Sequence, residues 1–239
     1  MSVAAFLRSK IKAARKRGAL WVRLLDIVRL LAIAEGRSRL KTRAIHAREM
    51  HQTTSDTWEE RYPDLFDLAA ELSPDARRIL SFGCSTGEEL ISLRRRFPEA
   101  EIVGVEINPR SRRIAAQRIA PDRRASVHAR LPNGDFDIIF VLAVLQREPH
   151  KIAEMNVADL TPYYPFEKFD AAVVSLAGRL RTGGLLCMQH SHYRVEDSSA
   201  TGDLEPIESS PPLDGVLFGR DGRRLKGAAG RTMFRNKSD

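Results

Sequence analysis

The sequence predicts a doubly wound α/β fold: a mostly parallel sheet with an antiparallel edge strand and helices on both faces. Two observations carry this expectation. From Arg77 onward, short and nearly unbroken apolar runs alternate with amphipathic stretches of helical period, the pattern of parallel strands buried on both faces and of the helices that cover them. Glycine-bearing turns stand where those runs pass into helices, at Gly83, Gly87 and the Gly183-Gly184 pair. A length of 239 residues suits one larger domain with a small appendage.

Each element follows from local chemistry. Pro63 opens a helix running to Leu72, since a proline at the first turn costs no hydrogen bond, and Pro74 closes it. Residues 79–82 read as a buried strand, 88–96 as a helix, 101–105 as the next strand and 112–119 as a helix. Residues 125–129 form a weak strand, and 137–145 (DIIFVLAVL) a strongly apolar one. A helix over 166–180 is stopped by Gly183-Gly184, and residues 185–190 form another strand. In the Gly-, Ser- and Pro-rich tail, 216–218 and 232–234 read as late, edge-like strands.

Composition narrows the function classes. No apolar run approaches the roughly 18 residues of a membrane span. The two cysteines, Cys84 and Cys187, exclude a disulfide framework or a multi-cysteine zinc site and point to a reducing, cytoplasmic setting. The net charge of +8 is concentrated: residues 1–48 carry 13 Lys and Arg against Asp26 and Glu35, leaving the remainder slightly acidic. A nucleic-acid footprint over the whole protein is therefore not expected. The division that follows is a basic helical extension over 1–50 and a main domain over 51–239, with its cofactor-binding half at about 75–150. Within the extension, Arg23, Asp26 and Arg29 fall on one helical stripe and the rest of that surface is apolar. Such a face is buried against the domain, a second copy of the chain as a homodimer, or an anionic membrane surface bound peripherally.

The chemistry concentrates in residues 79–93, ILSFGCSTGEELISL, a strand, a turn and a helix start. Gly83 and Gly87 let the backbone bend sharply and a ligand approach closely, and ligands of open α/β sheets bind outside the carboxyl ends of the strands. The next strand ends in Glu106, 19 positions after Gly87, where a carboxylate can accept hydrogen bonds from both hydroxyls of a ribose. Ser85 and Glu88 stand where a dinucleotide fingerprint requires glycine, and the Glu88-Glu89 pair would repel a pyrophosphate. A phosphate-free nucleoside bearing positive charge fits better than a dinucleotide.

With these residues the chain resembles the class I S-adenosylmethionine-dependent methyltransferases, a family with a Rossmann-like sheet, over roughly residues 75–192. Ser81-Phe82-Gly83-Cys84-Ser85-Thr86-Gly87 matches the family's first motif, FDIIFVLAVLQ (136–146) its fourth strand, and LRTGGLL (180–186) its turn into the fifth. The resemblance implies S-adenosyl-L-methionine as cofactor. It assigns Gly83, Cys84, Ser85, Gly87, Glu106 and Ile107 to the cofactor site, with Glu106 holding the ribose. Two departures stand out: Ser81 occupies a position where the family often has an acid, and Ser85 one where it often has glycine. The wording GCSTGEE is also similar to chemotaxis-receptor glutamate methyltransferases, but Ala143-Val-Leu-Gln-Arg after the fourth strand lacks their polar cofactor contacts.

Methyl transfer to an oxygen, or less favourably a nitrogen, of a small or membrane-associated acceptor is the implied reaction. His150 and His190, near the strand tips, are the candidate general bases. Tyr163, Tyr164 and Tyr193 are candidate aromatic walls, and Trp58 and Tyr62 precede the first strand as candidate lids. Cys84 has no identifiable partner for a nucleophilic role, and His190 with His192 lacks a suitably spaced carboxylate for a metal. The rival reading is an inactive methyltransferase-like protein that holds an anionic partner through its basic arm.

Overall fold

A computed structural model describes residues 57–227 and 229–237, together with residues 36, 38, 42, 44 and 49–52. The chain divides into two units, residues 1–47 and 48–239. In the first, Gly36, Ser38, Thr42 and Ala44 are helical, and the Thr42 hydroxyl donates to the Ser38 carbonyl at 2.9 Å. Of the expected basic extension over residues 1–50, residues 1–35 lie outside the described residues, as does what its apolar face covers.

In the second unit the elements are α1 (Pro63–Leu72), β1 (Arg78–Phe82), α2 (Glu88–Arg96), β2 (Glu101–Val105), α3 (Pro109–Ile119), β3 (Ala125–His128) and β4 (Phe136–Leu142). There follow α4 (Pro149–Glu154), α5 (Phe166–Ala177), β5 (Leu180–Gln189), two short 3-10 turns, β6 (Leu204–Pro206) and β7 (Met233–Asn236). They build a seven-stranded sheet in the order β3-β2-β1-β4-β5-β7-β6. Strands β1 to β5 are parallel, and β7 runs antiparallel to both β5 and β6. The doubly wound, mostly parallel fold with an antiparallel component at one edge is therefore present.

Alternation along each strand divides the core in two. Ile79, Ile102, Ile138, Phe140, Leu185 and Cys187 face α1, α2 and α3 through Phe66, Leu90, Leu93 and Ala115. Leu80, Val103, Ile139, Val141, Leu186 and Met188 face Phe169, Val173 and Leu176 of α5. Covering both faces is what makes these strands uniformly apolar rather than alternating. Helix α2 carries Glu88 and Glu89 in its first turn and Arg94, Arg95 and Arg96 in its last, a charge order that opposes the helix dipole at both ends.

Several elements differ from the sequence expectation. Strand β4 ends at Leu142, because Ala143 turns into a left-handed conformation at φ 58°. Helix α5 stops at Ala177, and the Gly183-Gly184 pair lies within β5. There the register against β4 slips between Phe136 and Ile138, so the glycines accommodate a bulge instead of ending a helix. The late strand predicted at 216–218 is only an isolated bridge between Phe218 and Arg224. The edge strand is instead β6, three residues with no readable period. Helix α4 was not expected.

Candidate cofactor and acceptor site

The sheet order reverses between β1 and β4, and the crevice beyond their carboxyl ends is where open α/β sheets place ligands. The chain there is held in unusual backbone conformations. Gly83 (φ 84°), Ser85 (φ 50°) and Gly87 (φ 91°) follow β1, Ala143 (φ 58°) follows β4 and His190 (φ 55°) follows β5. A left-handed conformation costs a non-glycine residue roughly 1–2 kcal/mol, and such strain gathers at ligand sites.

The loop after β1 is built from main-chain bonds. The Gly83 and Cys84 amides both donate to the Val105 carbonyl, at 2.8 and 3.0 Å, and the Gly87 amide donates to the Cys84 carbonyl at 2.9 Å. Two close approaches explain the glycines. A Cβ on Gly83 would lie 2.4 Å from Val144 Cγ2 beyond β4, and one on Gly87 would lie 3.0 Å from the Ala115 Cα in α3. Gly83→Ala is expected to lower stability by about 2–4 kcal/mol, the sum of a left-handed penalty and overpacking. Gly183→Ala also has a positive φ but meets nothing within 4 Å, so it should cost only about 1 kcal/mol. Urea unfolding of both variants checks this, and equal losses would contradict it.

Glu106, at the tip of β2, turns toward this loop. Its Oε2 accepts from the Ser85 amide at 3.0 Å and its Oε1 from the Asn108 amide at 2.6 Å. Asn108 in turn caps α3, its Oδ1 accepting from the Arg110 and Ser111 amides. Arg112 reaches back to the Glu106 and Ile107 carbonyls. Burial pushes the Glu106 carboxyl up to about 7, against the lowering pull of the Asn108 and Ser85 amides and of Arg112. Each carboxylate oxygen thus has one main-chain donor and capacity to accept further hydrogen bonds. The Ser85 hydroxyl is buried there with no hydrogen-bond partner. An orphaned donor beside a half-satisfied carboxylate fits a ligand rich in hydroxyls, as a ribose is.

The other residues assigned from sequence take up distinct places. Gly83, Ser85, Gly87 and Glu106 come together, with half-buried Ile107 next in the chain. Cys84 is brought there too, but its side chain points into the core: a Cβ on Gly104 would meet its Sγ at 2.8 Å. Burial, then the Glu106 and Glu89 carboxylates, raise its thiol well above the usual range, which does not suit a nucleophile.

His190 is half-buried at the end of β5, its ring 5.5 Å from that of Tyr62. Burial and the positive charge of Arg61 lower its pKa, with Asp214 pulling the other way, so the imidazole is neutral at pH 7. His150 sits at the start of α4 and is exposed. Tyr164 and Tyr193 are core residues, tied by a 2.7 Å bond from the Tyr193 hydroxyl to the Tyr164 carbonyl. The Tyr164 hydroxyl also meets His51 Nδ1 at 2.6 Å. Tyr163 is exposed. Sequence reasoning missed Arg61, Glu89 and Asp214, which gather around Tyr62 and His190. Glu89 alone carried a signal, as an acid two positions after a loop glycine. Among the described residues no group of His, Cys, Asp and Glu could hold a metal ion, and no helix is long and apolar enough to cross a membrane.

A family model described as a methyltransferase domain matches residues 54–195, so the chain belongs to the methyltransferase-domain family. Among curated relatives it is similar to trans-aconitate 2-methyltransferase of Rhodopseudomonas palustris, 28% identical over 134 residues, 55% of this chain and 45% of that one. The corresponding protein of Afipia carboxidovorans is 32% identical over 102 residues, 41% of this chain and 40% of that one. The chain thus spans less than half the length of these relatives. Among solved structures it is similar to the N-methyltransferase NodS from Bradyrhizobium japonicum, with a TM-score of 0.49 and 21% identity over 75% of this chain and 96% of that one.

Proposed function

We propose that the protein is an S-adenosylmethionine-dependent methyltransferase that methylates an oxygen of a small acceptor. The observation that carries this reading is the Glu106 carboxylate, fixed by the Ser85 and Asn108 amides at the mouth of a glycine-shaped loop. That arrangement suits a nucleoside diol, and the negative charges of Glu88 and Glu89 at the start of α2 disfavour a pyrophosphate. Gly83, Ser85, Gly87, Glu106 and Ile107 would hold the donor, whose sulfonium supplies an already activated methyl group. Cys84 supports the loop from behind.

The chain's own contribution is positional. His190, neutral and held at the tip of β5, is the better-placed base for an acceptor hydroxyl, whereas His150 stands exposed on α4. An acceptor that is already a carboxylate needs no base at all, and the relatives are named for trans-aconitate, a small polycarboxylic acid. Oxygen is therefore favoured over nitrogen.

Incubation with S-adenosylmethionine carrying a labelled methyl group, against panels of small carboxylic acids, alcohols and amines, tests this. The expected product is a base-labile methyl ester or a methyl ether. Label confined to amines would contradict the oxygen assignment. Donor binding without transfer to any panel member would favour the inactive reading.

A further inference from the structure

We propose that Asp214, held against the tip of β5 by Gln189, positions His190 as the base for an acceptor hydroxyl. Its main-chain carbonyl fixes which ring nitrogen carries the N–H, and its carboxylate offsets the charge that the ring gains with the proton. This rests on the reading of His190 as the base and narrows the acceptor oxygen to a hydroxyl.

The last residue of β5 splices the tail onto the site. Gln189 is buried, and both ends of its side-chain amide are engaged. Its Oε1 accepts from the His190 amide at 3.1 Å and from the Asp214 amide at 2.9 Å, and its Nε2 donates to the Pro212 carbonyl at 3.2 Å. The same tail segment is tied again by the residues ahead of β7. There the Thr232 hydroxyl donates to the Pro211 carbonyl at 2.7 Å, and the Gly230 carbonyl accepts from the Leu213 amide at 2.9 Å. Residues 211–214 are thus a fastened strap, and one shared acceptor oxygen brings Asp214 beside His190.

His190 stands at φ 55°, a conformation that persists in a non-glycine residue where its surroundings hold it. The groups that face its ring are Arg61 and Tyr62, from the segment ahead of α1, and Asp214 from the strap. The ring donates a hydrogen bond to the Asp214 main chain. In a neutral imidazole the nitrogen without the proton is an acceptor, so this bond leaves the second nitrogen a lone pair for an incoming hydroxyl. Burial and Arg61 oppose a charge on the ring, and the Asp214 carboxylate favours it. Burial raises the Tyr62 hydroxyl, with Glu89 and Asp214 adding to the effect, so Tyr62 stays protonated and the contest lies between Arg61 and Asp214. In the transfer, the acceptor hydroxyl gives its proton to that second nitrogen while its oxygen bonds the methyl carbon. The carbon–sulfur bond breaks with its electron pair kept by sulfur as a neutral thioether, and the imidazolium is left beside Asp214. A carboxylate acceptor would need none of this apparatus.

Two measurements on the full chain test the assignment: NMR with ¹⁵N-labelled histidine, and transfer of a labelled methyl group to a panel of small alcohols, phenols and carboxylic acids. In wild type the His190 ring should hold a single tautomer at neutral pH and titrate below the usual histidine range. Asp214→Asn keeps the main-chain carbonyl and removes the charge. Its tautomer should be unchanged, while the acidic limb of its pH–rate profile moves down by about half a pH unit, the ring titration moves with it, and kcat falls about three- to tenfold. Asp214→Glu should return the limb toward wild type. Asp214→Asn should bind S-adenosylhomocysteine within about twofold of wild type, which shows that the fold and the donor site are intact. A rate that falls with no movement of the limb, a ring titration that Asp214→Asn leaves in place, or a wild type that methylates no hydroxyl of the panel would overturn the assignment and leave the donor reading standing. Failure of wild type to bind S-adenosylhomocysteine would overturn both.

Discussion

Glu106→Ala is expected to weaken binding of S-adenosylhomocysteine by about a hundredfold or more, measured by titration calorimetry. A hydrogen bond to a charged acceptor contributes about 1.5–3 kcal/mol, and a ribose offers two hydroxyls to the two oxygens of one carboxylate. The substitution also removes the acceptor for the Ser85 and Asn108 amides, so the loop loses its tie to β2 as well as its ligand contact. Glu106→Asp keeps the charge on a shorter stem and should lose less. An alanine variant that binds as tightly as wild type would show that the carboxylate serves only the loop.

The second large effect is in pH. Glu106 must be ionised to accept from both hydroxyls, and its pKa in the free protein is about 7, raised mainly by burial. Ligand binding favours the charged form and lowers that pKa, so binding below 7 must release a proton. The apparent dissociation constant should rise about tenfold per pH unit below 7, reaching roughly a hundredfold between pH 8 and pH 5, and should be flat above 8. The groups facing Glu106 sharpen the interpretation. Arg112 contributes a favourable positive charge, and the Cys84 thiol is too high to titrate in this range. Glu89 is also raised to about 7, but a tenfold change per pH unit is the slope of one proton, so Glu106→Ala should flatten the profile. Affinity that improves on acidification would contradict the account.

Much of the fold was legible because buried parallel strands are apolar runs with little room for ambiguity. β1 and β2 begin and end within a residue of expectation, and Glu106 could be found because the strand leading to it is short and unbroken. Where the reading slipped, a backbone feature had overridden the residue pattern. Apolar Ala143, Val144 and Leu145 look like continued strand, yet a left-handed Ala143 turns Val144 onto Gly83. Gly183-Gly184 look like a helix stop and are a bulge inside β5. β6 is too short, and ends in proline, so it carries no period to read.

The site divides along the same line. Its proposed nucleoside half lies within one strand-loop-helix and the next strand, where spacing has meaning. The half around Tyr62 draws Arg61 from before α1, Glu89 from α2, His190 from β5 and Asp214 from the tail, and no interval along the chain links them. Tyr164 and Tyr193 illustrate the converse: aromatic residues near strand tips by sequence, they are packed into the core beneath α5.

The central claim, that the anionic tip of β2 grips a sugar diol, is tested most directly by comparing S-adenosylhomocysteine with its 2′-deoxy analogue on wild type and Glu106→Ala. The account predicts that wild type prefers the ribose form by about tenfold and that the variant binds the two alike, a coupling of about 1.4 kcal/mol between hydroxyl and carboxylate. A wild type that binds both forms equally, or a variant that keeps the full preference, would contradict it.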